Sequence, residues 1–511
     1  MTAARRSADG STGPASAEID ERLDRLVRPP GWQNPRPRLL YDLIVIGGGT
    51  AGLVSAVGAA GLGARVALIE QNRLGGDCLH TGCVPSKAIL RTARAIGEYR
   101  RADQLGVRVE RADVEFGAVM ARMRQRRIDL APNDSAERMT RLGIDVFFGL
   151  GSFKGPRELM LDSTPLRFRR AIIATGSRPA VPPIDGLDHT PYLTSETVFE
   201  LTERPQRLLL IGAGSIGCEL SQAFARMGAH VVLFDQSRRV LPHDDADASA
   251  SVQRALVGDG IRLELGIEIR RVLRRGEACV VCFRRSPNHS DEEVQGDRLL
   301  VATGRTPNVS GLNTEQAGVQ TGPDGIAVDD RLRTTNRRVY AAGDVCSRFQ
   351  FTHAADAMAR IAVQNALLFG RRKASALAIP RCTYTDPQVA HVGLSPDPTD
   401  ARRGGIQTIT VPLGEVDRGV LDDETDGFLR VHHRHGWIVG CSIVSSVAGE
   451  LIGFAGTLIA RRAKLPELSA AIFPYPTQAE AYRKAGDAYR RTRITPRVRR
   501  AFERYFELTR W

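Results

Sequence analysis

Residues 41–87 read YDLIVIGGGTAGLVSAVGAAGLGARVALIEQNRLGGDCLHTGCVPSK, and this stretch decides the fold. A short, mostly apolar run (42–46) is followed at once by Gly47, Gly49 and Gly52 in G-x-G-x-x-G spacing. A small-residue helix and a second apolar run ending at Glu70 complete the unit. This is a strand, a tight turn and a helix whose free N–H groups can hold a pyrophosphate. Gly47 permits the turn, Gly49 lets a phosphate approach the backbone, and Gly52 lets helix and strand pack closely. Glu70, at the end of the second strand, can accept hydrogen bonds from a ribose.

Cys78 and Cys83 follow in C-L-H-T-G-C, just before Val84-Pro85-Ser86-Lys87 and an Ala/Arg-rich run to Arg101 that reads as helix. Thiols beside a helix N-terminus are lowered in pKa and exchange with disulfides. A hydride donor reaches a disulfide through a two-electron relay such as a flavin. The segment 75–87, GGDCLHTGCVPSK, resembles that of the flavin-dependent pyridine nucleotide–disulfide oxidoreductases, the family of glutathione reductase, lipoamide dehydrogenase and mercuric reductase.

A second fingerprint begins at Leu208, with Gly212, Gly214 and Gly217 in the same spacing and Asp235 after the second strand. Two such units in one chain imply an electron path between two bound cofactors, FAD on the first and a nicotinamide nucleotide on the second. An acid at 235 favours the free 2′-hydroxyl of NADH and repels the extra phosphate of NADPH. Arg238 and Arg239 stand close enough to admit NADPH, so the expectation is NADH or NADPH, with NADH favoured.

The resemblance implies an α/β protein with two Rossmann-like dinucleotide-binding domains of the glutathione reductase kind and an α+β C-terminal dimerisation domain. Residues 1–39 read as a flexible extension, 40–180 as the first part of the FAD domain and 181–309 as the NAD(P) domain. Residues 310–378 return to the FAD domain, 379–483 form the dimerisation domain, and 484–511 are a basic extension. That extension carries Tyr489, Phe502, Tyr505 and Phe506 and is expected to dock on its own protein.

By resemblance, Gly76 lies at the cofactor beside the dithiol, and Thr175, Gly176 and Gly304 line the crossings between the nucleotide domains. Gly343 and Asp344 stand at a strand end, where the matching aspartate binds the ribityl chain of FAD. Lys87 pairs with Glu219 beside the flavin. Electrons are expected to run from NAD(P)H through FAD to a Cys78–Cys83 disulfide, with Cys83 flavin-proximal and Cys78 the exposed interchange thiol. Tyr475 and Glu480 line the site of the partner subunit, so a homodimer is required.

The acceptor is read from one departure. Disulfide reductases of the family carry a histidine base before Pro-Thr, and here that place is Tyr475, followed by Pro476-Thr477. A phenol with a pKa of ~10 is a poor base near neutrality. Mercuric reductase has tyrosine at this place, and its Thr-Asp-Pro-Gln-Val-Ala stretch matches residues 385–390. The sequence reading is therefore a mercuric reductase-like enzyme whose Cys78 and Cys83 transiently hold a substrate metal ion, or which serves another small acceptor. This chain has no metal-binding C-x-x-C domain before Tyr41 and no vicinal cysteine pair after Cys441. The alternatives are an organic disulfide as substrate, as for dihydrolipoamide dehydrogenase, or a flavin redox sensor without efficient turnover.

The composition bounds the rest. In 511 residues, 42% hydrophobic and 25% charged content is that of a folded protein with no apolar run long enough to cross a bilayer. A net charge of +13 attracts anions without specificity, and no zinc-finger spacing or aromatic-interleaved groove points to nucleic acid. Eight cysteines in so long a chain are no disulfide scaffold, which fits a reducing cytoplasm. Cys279 and Cys282 would face opposite sides of one strand, and His432, His433 and His435 read as a chance cluster on a strand pair.

Overall fold

The computed structural model describes residues 14–108, 113–396 and 405–510. They divide into two compact units: unit 1 holds the residues up to Val240 with Leu256–Leu377, and unit 2 holds Leu241–Ala255 with the residues from Ala378 on.

Unit 1 runs through α1 (Pro14–Val27), β1 (Tyr41–Ile46), α2 (Thr50–Gly61), β2 (Val66–Glu70), α3 (Gly76–His80) and α4 (Cys83–Arg100). β3 (Ile144–Phe148), β4 (Gly151–Gly155), β5 (Glu158–Leu161) and β6 (Thr164–Ile173) complete a sheet in the order β3-β2-β1-β6-β5-β4, and the strand Val339–Ala341 adds in parallel to β6. β1 and β2 are buried almost throughout, which is why they read as continuous apolar runs.

β7 (Ser177–Pro179) leads into the second nucleotide fold, made of β8 (Arg207–Ile211), α5 (Ser215–Arg226), β9 (His230–Asp235) and β10 (Arg262–Leu265). The antiparallel layer β11 (Glu268–Arg275), β12 (Ala278–Arg284) and β13 (Glu292–Gly296) follows, then β14 (Arg298–Val301) and β15 (Arg305–Pro307). The parallel order is β10-β9-β8-β14, and β15 pairs antiparallel with β7. On β12 the two cysteines meet different partners: the Cys279 thiol donates to Pro191 O at 3.6 Å and the Cys282 thiol to Glu293 Oε1 at 3.5 Å. α6 (Thr352–Leu367) returns to the first fold and packs against α2. In such sheets ligands gather at the carboxyl ends of the parallel strands.

Unit 2 holds an antiparallel sheet of β16 (Arg381–Thr383), β17 (Gln388–Gly393), β18 (Gln407–Pro412), β19 (Phe428–Arg434) and β20 (Trp437–Ser445), ordered β16-β17-β20-β19-β18. Helices including α7 (Glu480–Thr492) cover it, and Tyr482 of α7 is buried in its core. The chain ends in α8 (Pro496–Thr509). His432 is buried between Ser442, 3.2 Å from its Nε2, and Thr408, 3.2 Å from its Nδ1. Burial lowers its pKa to about 4. His433 receives the Gly436 amide at 3.3 Å.

Three expectations change. Of the extension read as flexible, the described part is fixed: Leu23 and Val27 of α1 are buried in the first core, and Trp32 Nε1 donates to Val146 O at 3.3 Å. Residues 241–255, read as part of the NAD(P) domain, cluster with unit 2, where Arg381 pairs with Asp244 at 3.0 Å and Arg430 with Asp245 at 3.2 Å. The C-terminal extension docks only in its first part: Ala485 is buried in the core of unit 2 and Tyr489 packs against it, whereas no residue of α8 is buried and Phe502, Tyr505 and Phe506 are exposed. Thr495 accepts the Val498 amide and Pro496 opens the helix, so α8 starts afresh instead of continuing α7 along the core.

Candidate active site

Each glycine turn has a carboxylate seated behind it. Gly47 has φ 107°, and a Cβ there would lie 2.3 Å from Ala174 O; on Gly52 it would lie 1.7 Å from Gly47 O. Only glycine fits either place. Buried Glu70 accepts the Gly48 amide through Oε2 and the Asn72 amide through Oε1, both at 2.6 Å. Burial raises its pKa. The second turn repeats the arrangement: Gly212 has φ 112°, a Cβ on Gly217 would sit 1.8 Å from Gly212 O, and Asp235 accepts the amides of Ala213 at 2.6 Å and Ser237 at 2.7 Å. α2 and α5 both start from a glycine, Gly49 and Gly214, whose place offers no side-chain cap, so their first amides face outward.

The surroundings of the first turn fit FAD. A Cβ on Gly76 would meet Gly49 Cα at 2.6 Å, so Gly76 brings the dithiol segment onto the turn. Thr175 and Gly176 are fixed by Asn308: Thr175 Oγ1 donates to Asn308 O at 2.7 Å, and the Asn308 amide donates to Gly176 O at 2.9 Å. Gly304 O accepts the Ala180 amide at 2.9 Å. Asp344 follows Gly343 (φ 83°) after the Val339–Ala341 strand, and burial pushes its carboxyl up. An acid at a strand end suits a polyol hydroxyl.

The thiols are drawn together by α3 and α4. Gly82 makes the intervening turn, where a Cβ would come within 2.8 Å of Asp77 O. Cys78 sits on α3 and Cys83 is the first residue of α4. The hydrogen bond between the thiols lowers Cys83 to about 6, assisted by Thr352 and Lys87. The same bond, with burial, pushes Cys78 well above the usual thiol range. Cys83 Sγ is 3.2 Å from Thr352 Oγ1 at the start of α6. Thr352 was not singled out from sequence; the available signal was a hydroxyl on the first turn of a helix aimed at the cofactor.

Lys87 lies one turn beyond Cys83, and its Nζ donates to Glu219 Oε2 at 2.8 Å. Glu219, on α5 just past the second glycine turn, is 5% exposed against 38% for Lys87. This pair joins the helix after the dithiol to the helix after the second turn. Tyr475 and Glu480 belong to unit 2. Tyr475 is exposed and donates to Asp417 Oδ2 at 2.9 Å, a bond that raises its pKa, and Glu480 is buried with Arg483 at 3.2 Å.

Two mononucleotide folds and a polarised dithiol define a nicotinamide-linked disulfide flavoprotein, and similarity to known proteins says the same. Residues 41–359 match the family described as pyridine nucleotide–disulphide oxidoreductase, and residues 379–486 match its dimerisation domain. The chain belongs to this family: it is an oxidoreductase that uses FAD and NAD(P)H and carries the domain through which homodimers form. It is 34% identical to a mercuric reductase of Lysinibacillus sphaericus over 448 residues, covering 87% of this chain and 82% of the relative. It is 29% identical to a dihydrolipoyl dehydrogenase of Bacillus subtilis over 460 residues, 87% of this chain and 97% of the relative. Among solved structures, the Cu(II) complex of the HOCl-induced flavoprotein disulfide reductase RclA from Escherichia coli superposes with a TM-score of 0.75 at 27% identity, over 86% of this chain and 98% of that one. The relatives divide between branches, so the mercuric branch expected from sequence is not singled out. Among the described helices, none is long and apolar enough to cross a membrane.

Proposed function

We propose that the chain is an NAD(P)H-dependent disulfide reductase whose working couple is Cys78–Cys83 and whose acceptor is a small organic disulfide. The observation that carries this is the dithiol itself: Cys78 on α3 and Cys83 opening α4, with Cys83 Sγ 3.2 Å from Thr352 Oγ1 and the Lys87–Glu219 pair one turn further on, a setting that lowers the Cys83 thiol. Bound FAD supplies the two-electron relay between nicotinamide and disulfide. Gly47, Gly49, Gly52, Glu70, Gly76, Thr175, Gly176 and Asp344 would hold it, and Gly212, Gly214, Gly217, Asp235 and Gly304 the nicotinamide nucleotide. Asp235 supports NADH over NADPH.

Lys87 and Glu219 fix the local field, with Lys87 stabilising the Cys83 thiolate. Cys78 attacks one sulfur of the acceptor and passes its proton to the half that leaves as the first thiol. The Cys83 thiolate then closes the Cys78–Cys83 bond and releases the second half, which takes a proton from water. For each acceptor disulfide, one NAD(P)H and one proton from water yield two thiols. Transfer of the proton to the leaving sulfur needs no histidine at position 475.

A second reading, reduction of a thiophilic metal ion clamped by both sulfurs, is favoured by Tyr475. Its phenol is tied to Asp417 as a donor and offers no base, and a metal ion needs electrons more than protons. In both readings Tyr475 and Glu480 complete the site of the partner subunit.

The test is NADH and NADPH oxidation with glutathione disulfide, lipoamide, quinone, Cu(II), and Hg(II) with excess thiol, for the wild type and for Cys78→Ala and Cys83→Ala. The proposal expects dithiol-dependent turnover with a disulfide; turnover with a metal ion alone moves the assignment to the second reading. Flavin that NAD(P)H fails to reduce would leave a sensor.

A further inference from the structure

Arg305, on β15, belongs to neither glycine turn nor to the dithiol, yet its half-hidden guanidinium touches both sides of the site. Nε donates to Ser177 Oγ at 2.7 Å, and Nη2 donates to Ser177 O at 3.0 Å and to the Asp77 carboxylate. Ser177 Oγ in turn donates to Asp344 Oδ2 at 2.7 Å, and that carboxylate lies 3.8 Å from Arg305 Nε. Arg305 itself is held by the pairing of β15 with β7, where Thr306 stands opposite Arg178. One 14%-exposed guanidinium thus spans two carboxylates that are far apart in sequence. Asp77 immediately precedes Cys78, and Asp344 is the acid at the cofactor-facing strand end.

A planar guanidinium can satisfy several acceptors at once in fixed geometry, which an ammonium cannot. We propose that Asp77 and Arg305 are positioning residues: the fork holds the dithiol segment and Asp344 in one fixed relation, so that the FAD seat and the redox thiols form as a single unit. The inference rests on the reading of Asp344 as a residue that holds the polyol of FAD. A purely electrostatic role would act differently. Near an anionic cofactor, neutralising Asp77 would tighten binding, and replacing Arg305 by another cation would change nothing.

The experiment follows release of flavin from the purified full-length holoenzyme by the rise in flavin fluorescence on dilution. The variants are Asp77→Asn, Arg305→Lys, their combination, Ser177→Ala and Asp344→Asn, with thermal unfolding at saturating FAD as the folding control. Loss of one charge-assisted hydrogen bond corresponds to release roughly tenfold faster. That effect is expected in Asp77→Asn and Arg305→Lys alike, with no further gain in the combination. Ser177→Ala, which changes no charge and removes the bridge to Asp344, is expected to follow them. The long-wavelength absorbance of the NADH-reduced enzyme, which depends on the placement of Cys83 against the flavin, should weaken in the same variants. Slower release in Asp77→Asn with Arg305→Lys unchanged overturns the proposal, as do effects that multiply in the combination. Unchanged release in both, beside fast release from Asp344→Asn, overturns the latch alone. Unchanged release from Asp344→Asn overturns the reading of Asp344 and with it the link to the cofactor.

Discussion

The two glycine turns are near copies in backbone, carboxylate and tight contact, and they differ in what lies over them. At the first, Gly49 has Gly76 Cα 3.7 Å from where a Cβ would be, because the chain folds back with the dithiol segment on top. At the second, the space around Gly214 is open, with nothing within 4 Å of such a Cβ. The difference separates a covered seat, suited to a resident FAD, from an open one, suited to a nicotinamide nucleotide that must enter and leave at every turnover. Near-identical local geometry can thus serve a cofactor and a substrate, and the covering segment makes the distinction.

The largest expected effect breaks the comparison at one copy at a time. Gly52→Ala forces a methyl into Gly47 O, so protein that folds should carry no flavin absorbance, whereas Gly217→Ala should keep its yellow colour and lose reduction by NAD(P)H. Equal loss of flavin in both variants would erase the distinction. Each turn also has its own thiol. Reduced enzyme should be alkylated by iodoacetamide at Cys83 with a rate that rises with pH around about 6 and levels off above it, since the reactive thiolate is populated above its lowered pKa. Cys218, buried at the second turn with its thiol donating to Ala213 O at 3.3 Å, should lag by roughly a hundredfold, as expected for an inaccessible neutral thiol; mass spectrometry of the labelled peptides decides this.

The bridge between the two turns gives a smaller effect. Lys87→Met leaves the buried Glu219 carboxylate without that partner and should lower stability by about 1–3 kcal/mol, less than for a fully buried pair because Lys87 is partly solvated. Urea unfolding reads this cost, and stopped-flow flavin reduction by NADH should slow in step. The smallest change sharpens the second turn itself. Asp235→Ser should improve kcat/KM for NADPH relative to NADH by about tenfold, the scale of removing one like-charge contact, with flavin content untouched. An unchanged ratio would place nucleotide choice on other residues.

Much of this was legible because the information is local. A glycine demanded by a φ near 110°, an amide-binding acid 23 residues beyond the first glycine of each turn, and a pair of thiols at a helix start are all set by spacing along the chain. The contacts that sequence reading missed are those made by distant segments. Thr352 meets Cys83 across 269 residues and Arg305 meets Asp77 across 228, and neither residue type declares its partner. The extensions were misread for the same reason. An amphipathic helix announces an apolar face and says nothing of what covers it: α1 found the first core, and α8 buries none of its residues.

By itself the sequence determined two dinucleotide folds, a redox dithiol and a family, since hydrophobic period, glycine geometry and thiol placement act over a few turns of chain. Tertiary structure alone decided which thiol is lowered, which cation holds the dithiol segment and which glycine turn is covered. Those properties come from burial and from hydrogen bonds between groups that only folding brings within 3–4 Å, where desolvation and charge are strong enough to tell two similar sites apart.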